Sequence, residues 1–135
     1  MYAKYKGKVM LIDDSTTNNL LYENILDSEG YEVFVCDDAK MGLQKLKKEH
    51  PDLILLDLMM PRMDGFNFME KLHEEPDIND IPVIILTARE DRLSEKRAYE
   101  LGAKDYLIKP VGITEILEKI EKIISHKNNS SKGIS

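Results

Sequence analysis

The stretch PDLILLDLMMPRMDG, residues 51–65, decides the fold of this chain. It contains a continuous apolar run, Leu53–Leu56, that ends on a carboxylate, Asp57. Four apolar residues without alternation are typical of a strand that is covered on both faces. An aspartate at the edge of such a core is costly unless its charge has a use there. The stretch therefore predicts a buried strand with a functional carboxylate at its end.

Outward from this stretch, β-like runs alternate with helical patterns along the chain. The predicted strands are VMLI (Val9–Ile12), EVFVC (Glu32–Cys36), LILL (Leu53–Leu56), VIIL (Val83–Leu86) and YLI (Tyr106–Ile108). The predicted helices are Thr17–Ser28, Ala39–Glu49, Phe66–Glu75, Arg92–Leu101 and Thr114–Ile124. Regular alternation of this kind predicts an α/β fold, with a parallel sheet, helices on both faces and right-handed crossovers.

The last two predicted helices differ in how much apolar surface they carry. The fifth has the clearest stripe, formed by Ile113, Ile116, Leu117, Ile120, Ile123 and Ile124. The fourth has only Leu93, Ala98 and Leu101 on its expected inner side. A sparse stripe suits a helix that changes position during function.

Length and composition indicate one globular domain. The chain has 135 residues, 19 basic and 25 acidic, so its formal net charge is −6. This acidic balance and the lack of a basic stripe argue against direct nucleic-acid binding. The single cysteine, Cys36, suits a reducing compartment, and the first residues have too short an apolar run for a signal peptide or membrane span. We therefore expect a cytoplasmic protein without membrane association.

The carboxyl-terminal residues change in character after Ile124. The sequence SHKNNSSKGIS, residues 125–135, is polar and rich in small residues. Such a composition predicts a frayed tail or the start of a linker. We expect residues 1–124 to form the domain and 125–135 to lie outside it.

Polar side chains stand at the ends of four of the five predicted strands. They are Asp13 and Asp14, Asp57, Thr87 and Lys109. In open α/β sheets, ligands bind outside the carboxyl ends of the strands, so these residues are expected to converge. Three carboxylates repel one another without a cation, and oxygen-only ligands select a hard ion such as Mg²⁺. With a lysine and a hydroxyl opposite, this set suits phosphoryl transfer, with Asp57 as the nucleophile.

Each of these residues also has an ordinary structural interpretation. A pair of aspartates between strand and helix is usually a capping feature, and Ser15 or Thr16 also suits that position. Lys109 by itself reads as a solvated surface lysine, and Thr87 as a common strand residue. Their joint placement at successive strand ends favours the functional interpretation, because context is what confirms a motif.

Four motifs resemble the receiver domain of two-component response regulators. They are LIDDS (11–15), LLDLMMPRMDG (55–65), ILTA (85–88) and DYLIKP (105–110), in the order of that family, and the likeness covers Lys8 to Ile124. The resemblance implies a flavodoxin-like, doubly wound (βα)5 sandwich with strand order 2-1-3-4-5. It further implies that Asp57 is the phosphoacceptor.

The same resemblance implies roles for the residues around Asp57. Asp13 and Asp14 would bind Mg²⁺ together with Asp57 and the backbone carbonyl of Met59. Lys109 would contact the phosphoryl oxygens.

Three further residues are implied to aim that lysine or to pass on the signal. Pro110 would follow a cis peptide bond that aims Lys109. Thr87 would hydrogen-bond the phosphoryl group, and Tyr106 matches the switch aromatic, which moves inward. Taken as an ordinary strand residue, Tyr106 is expected to be half-buried with a solvated hydroxyl.

The implied function is a phosphorylation-dependent switch. A sensor histidine kinase or histidine phosphotransfer protein would dock on the first helix and phosphorylate Asp57. The face formed by the fourth helix, fifth strand and fifth helix would then bind an output protein or domain differently. The chain would be no enzyme beyond self-catalysed phosphotransfer and autodephosphorylation, and it would act alone or within a larger regulator.

Three other functions compete with this one. A haloacid-dehalogenase-type phosphatase needs a second aspartate two residues after the nucleophile, where this chain has Met59. A flavodoxin-like flavin carrier needs a neutral phosphate loop after the first strand, and DDSTTNN (13–19) is acidic there. A degenerate receiver used as a scaffold is disfavoured because every chemical position is intact.

Overall fold

A computed structural model describes the backbone of residues 5–133 and the side chains of residues 5–126. The strands are β1 (Gly7–Ile12), β2 (Tyr31–Cys36), β3 (Leu53–Leu56), β4 (Val83–Thr87) and β5 (Asp105–Ile108). The helices are α1 (Thr16–Ser28), α2 (Ala39–Glu49), α3 (Gly65–His73), α4 (Arg92–Glu100) and α5 (Ile113–Gly133). The predicted alternation of strands and helices is confirmed.

The five strands form one parallel sheet in the order β2-β1-β3-β4-β5. The central strand β3 pairs with β1 on one side, where Leu11 lies opposite Leu55, and with β4 on the other, where Leu55 lies opposite Ile84. The order reverses after β1, since β2 lies on one side of it and β3 on the other. The predicted doubly wound order 2-1-3-4-5 is therefore confirmed, and its switch point lies at the end of β1.

Successive residues of the central strands enter two separate hydrophobic cores. Ile54 and Leu56 of β3 pack in the core that contains Phe66 and Phe68 of α3. Leu53 and Leu55 pack in the core that contains residues of α1 and α5. Since side chains alternate across a strand, both faces of β3 are covered, which explains its continuous apolar run.

The first four helices begin at short polar caps. Ser15, Asp38, Asp64 and Asp91 each accept a hydrogen bond from the backbone N–H three residues later. Such a bond satisfies one of the N–H groups that the first turn leaves without a helical partner. The serine at the start of α1 is the cap, which settles the choice between Ser15 and Thr16.

Two apolar residues predicted to face inward are exposed. Leu93 of α4 is 80% exposed, and Ile113 lies at the exposed start of α5. Helical periodicity places them near the inner stripe, but each stands in the first turn, where the helix has not yet reached the sheet. The remaining members of the α5 stripe are buried or partly buried, as predicted.

Helix α5 continues past its predicted end at Ile124 and runs to Gly133. The residues after Ile124 were expected to form a frayed tail or linker, and most of them are helical. The boundary of the domain at Ile124 stays a prediction. Within the described residues, no helix combines the length and the apolar character needed to cross a membrane.

Candidate functional site: an acidic pocket at the carboxyl end of the sheet

The pocket is built from three carboxylates at the ends of β1 and β3. Backbone hydrogen bonds hold two of them at the sheet edge: the Asp13 N–H donates to the Cys36 carbonyl at 3.1 Å, and the Asp57 N–H donates to the Ile12 carbonyl at 3.0 Å. Asp13, Asp14 and Asp57 each offer one carboxylate oxygen, and these oxygens lie within 4.8 Å of one another. The sheet therefore brings the predicted acidic residues together.

Lys109 lies between two of these carboxylates. Its Nζ is 2.5 Å from Oδ2 of Asp13 and 3.5 Å from Oδ2 of Asp57. The lysine side chain is only 11% exposed, so its ordinary interpretation as a solvated surface residue is wrong. The peptide bond between Lys109 and Pro110 is cis, as predicted. A buried ammonium group between two carboxylates supplies positive charge where a phosphoryl group would bring more negative charge.

Burial dominates the electrostatics of Asp13. It raises the pKa of this carboxyl group above its usual value, while the hydrogen bonds from Lys109 and from the Ser15 N–H act in the opposite direction. The nearby Asp57 carboxylate also raises the pKa of Asp13. The site thus contains more negative charge than Lys109 balances, and its donors are all oxygens. This donor set fits a hard divalent cation such as Mg²⁺.

The loop after Asp57 orients its carboxylate. The Met59 N–H donates to Oδ1 of Asp57 at 3.1 Å, so the other oxygen is the one that faces Lys109. Gly65, at the start of α3, packs directly on this loop. A Cβ atom there would lie 2.7 Å from the Asp57 carbonyl oxygen and 2.8 Å from the Leu58 Cα atom. The sequence analysis quoted Gly65 within a motif but assigned it no role, because a close backbone approach leaves no periodic signal.

Thr87 and Tyr106 lie beside the pocket and share a connection through one loop. Thr87 is fully buried, and its hydroxyl accepts a hydrogen bond from the Arg89 N–H at 3.3 Å. The Tyr106 hydroxyl donates to the Arg89 carbonyl at 2.6 Å. Tyr106 is only 7% exposed, so the expectation of a half-buried ring with a solvated hydroxyl is wrong. The ring already occupies an inward position and ties β5 to the loop after β4.

Helix α4 contacts the pocket region through polar groups rather than through an apolar stripe. The Arg97 guanidinium lies 4.3 Å from the centre of the Phe66 ring, and Phe66 directly follows Gly65. Asp91 caps the helix and pairs with Arg89 at 3.0 Å. Because these contacts are at the surface, α4 is held less firmly than a helix with a buried stripe.

Comparisons with known proteins agree with this geometry. The sequence model described as "Response regulator receiver domain" matches residues 9–121. The chain is 36% identical to the "Probable transcriptional regulator ycf27" of Porphyridium aerugineum, over 96% of this chain and 55% of that protein. It thus spans about half the length of the first curated relatives it matches.

Two solved structures show the same fold. A CheY-like receiver domain protein from Methanospirillum hungatei JF-1 superimposes with a TM-score of 0.85 at 29% identity, covering 91% of this chain and 97% of that one. The receiver domain of the sensor histidine kinase PA1611 from Pseudomonas aeruginosa PAO1 gives 0.81 at 25% identity, covering 88% and 98%. The latter has a magnesium ion coordinated in its active-site cleft. With the matching sequence model and the pocket at the switch point, these findings show that the chain belongs to the family of response regulator receiver domains.

Proposed function

We propose that this chain is a phosphorylation-dependent signalling switch in which Asp57 accepts a phosphoryl group. The donor is the phosphohistidine of a sensor histidine kinase or of a histidine phosphotransfer protein. The observation that carries the proposal is the position of Lys109 between Asp13 and Asp57, with Asp14 completing the acidic cluster. This is the arrangement of charge that phosphoryl transfer to a carboxylate requires.

The transfer exchanges one bond to phosphorus for another. A carboxylate oxygen of Asp57 attacks the phosphorus in line, an O–P bond forms, and the N–P bond to the donor histidine breaks. The histidine leaves with the bonding electron pair. The hydrogen bond from the Met59 N–H holds Oδ1, so Oδ2 is the oxygen positioned to attack. The Lys109 ammonium then pairs with the phosphoryl oxygens.

The acidic cluster is the site proposed for Mg²⁺. Asp13, Asp14, Asp57 and the backbone carbonyl of Met59 would hold the ion, which fits the all-oxygen donor set. When bound, Mg²⁺ offsets the negative charge of the carboxylates and of the transferring phosphoryl group. Lys109 takes a second part of this charge without occupying the metal position.

The switch proposed for this chain runs through Thr87 and Tyr106. A hydroxyl that donates to a phosphoryl oxygen must turn toward it, and the Thr87 hydroxyl already bonds the Arg89 N–H. Movement of this loop is passed to Tyr106, whose hydroxyl bonds the Arg89 carbonyl. The α4-β5-α5 surface then shifts toward the conformation that binds the output protein or domain. Loose attachment of α4 supports this direction of change.

An intact-mass measurement tests the proposal. The chain is incubated with acetyl phosphate and Mg²⁺, beside Asp57→Asn and beside a sample with excess chelator. We expect one added phosphoryl group in the unmodified chain and none in the variant or with chelator. Asp64→Asn is the matched control, because this exposed-loop carboxylate caps α3 and lies outside the acidic cluster.

The opposite result is equally informative. An adduct that persists in Asp57→Asn would assign phosphorylation to another residue, and an absent adduct would leave a receiver fold used as a scaffold. The cytoplasmic location, the lack of nucleic-acid binding and the restriction to self-catalysed phosphotransfer and autodephosphorylation stay predictions, as does action alone or within a larger regulator.

A further inference from the structure

A second concave surface lies between α1 and α2, above the carboxyl end of β2. This groove has a volume of about 370 Å³ and does not contain the phosphoacceptor. Its lining residues are Thr16, Asn19, Leu20, Glu23, Val35, Asp37 and Met41. Apolar side chains and carboxylates share its walls, so it differs in chemistry from the acidic pocket.

An oxygen of Asn19 in this groove lacks a hydrogen-bond donor. Asn19 is only 6% exposed, and its Nδ2 donates to the Asp13 carbonyl at 2.7 Å. This bond determines the orientation of the amide, because the atom that faces a carbonyl oxygen must be the donor. Oδ1 is then buried and accepts no hydrogen bond from the described residues. A buried acceptor without a donor is unfavourable, so a ligand that supplies one gains affinity.

Two carboxylates at the groove are also available for pairing. Glu23 is half-buried on α1, and Asp37 is exposed just before the cap of α2. Neither forms an ion pair with any of residues 5–126. A cationic ligand in the groove therefore meets two negative groups that no internal cation neutralises.

The apolar side chains complete the description of the ligand. Leu20 and Met41 are exposed on opposite walls, with Val35 of β2 between the helices. They offer contact to an aliphatic stem, while the carboxylates and Oδ1 of Asn19 accept from a charged head. A guanidinium has five N–H donors in a planar fork and reaches several acceptors at once, whereas an ammonium is a compact point charge.

We propose that this groove binds an arginine side chain of a partner protein. The stem packs between Leu20 and Met41, and the guanidinium donates to Oδ1 of Asn19 and to the carboxylates of Glu23 and Asp37. Since Asn19 also holds the Asp13 carbonyl, the bound arginine sits one hydrogen bond away from the acidic pocket. The groove is thus a docking site whose occupant stabilises the end of β1.

The probe for this site is N-acetyl-L-arginine amide, added to the isotopically labelled full chain and followed by NMR. We expect saturable shifts of the Asn19 side-chain amide and of the Leu20 and Met41 methyl groups. The lysine and norleucine analogues serve as ligand controls. The lysine analogue should bind several-fold more weakly, and norleucine should cause no saturable shift at Asn19.

Variants separate the proposed site from general charge attraction. Glu23→Gln combined with Asp37→Asn should weaken binding of the arginine probe at least several-fold. Asp27→Asn, an exposed acid further along α1, is the matched control and should leave binding unchanged. Equal weakening by the control, equal binding of the lysine or norleucine analogue, or the absence of saturable shifts would each overturn the proposal. Phosphorylation of Asp57 is measured separately, so failure of one function does not decide the other.

Discussion

The bodies of the central strands and their carboxyl ends are equally sheltered from solvent but opposite in chemistry. Leu53–Leu56 are fully buried among apolar neighbours, and one residue later Asp57 is buried among carboxylates. Burial stabilises the first group through the hydrophobic effect. It destabilises the second, because charges removed from water need a partner. The fold thus supports a site that disfavours folding and requires a cation.

The largest effect is expected in the strand body. Leu55→Ala removes a fully buried side chain from the central strand and leaves a cavity among the α1 and α5 residues. The free energy of unfolding should fall by about 2–5 kcal/mol. Urea denaturation followed by circular dichroism measures this. The control Leu93→Ala, at an exposed position, should change it by less than about 0.5 kcal/mol. Similar losses in both variants would contradict the assignment of the core.

Gly65→Ala acts where the strand end meets the helix that follows it. The new Cβ atom must displace the backbone of Asp57 and Leu58, since it would come within 2.8 Å of both. We expect a loss of about 1–3 kcal/mol in stability. Phosphorylation by acetyl phosphate should slow by at least about tenfold, because Asp57 shifts from its attacking position. Rates come from a time course of intact mass.

The matched control for this variant is Gly112→Ala. A Cβ atom at Gly112 would meet no atom within 4 Å, so this substitution should leave the phosphorylation rate unchanged. Its stability should stay equal or rise slightly, because alanine restricts the unfolded chain more than glycine does. A phosphorylation rate for Gly65→Ala equal to that of the control would show that this close approach does not position Asp57.

Asp13→Asn should have a smaller effect of opposite sign. It removes one charge from the acidic cluster and keeps an oxygen that can accept from Lys109 and the Ser15 N–H. In buffer without divalent cations, the free energy of unfolding should rise by on the order of 1 kcal/mol. Added Mg²⁺ should stabilise the unmodified chain more than the variant. A variant less stable than the unmodified chain would show that the pair with Lys109 outweighs repulsion and desolvation.

The smallest effect is expected at the start of α4, the helix that neither core anchors strongly. Hydrogen bonds from the Ser94 N–H and hydroxyl, and then from Arg89, lower the pKa of Asp91 to about 2. A lowered pKa contributes stability above the usual value of 3.8, and this contribution is lost as the pH falls through about 2. The Asp91 carboxyl carbon should therefore titrate near pH 2 by NMR. The comparison is Asp38, the equivalent cap of α2, and the same titration midpoint in both would contradict the added contribution of Arg89 and the Ser94 hydroxyl.

Most of the fold could be predicted from the sequence, because periodicity reports which faces of an element are apolar. The five strands and five helices follow from runs such as Leu53–Leu56, and their placement is close to the observed bounds. Periodicity failed where an apolar residue has no neighbour to pack on. Leu93 and Ile113 stand in the first turns of their helices, and whether a first turn reaches the core depends on where the sheet ends.

The sequence by itself determined the sheet order, through motifs at successive strand ends, and the identity of the residues that converge there. Only the tertiary structure decided their distances: Lys109 and Asp13 are 96 positions apart in the chain and meet at 2.5 Å. It also decided the features with no local signal, namely the close approach of Gly65 to Asp57 and the unpartnered oxygen of Asn19. Local patterns encode which residues prefer burial, whereas contacts between distant residues arise only when the sheet and its helices are packed together.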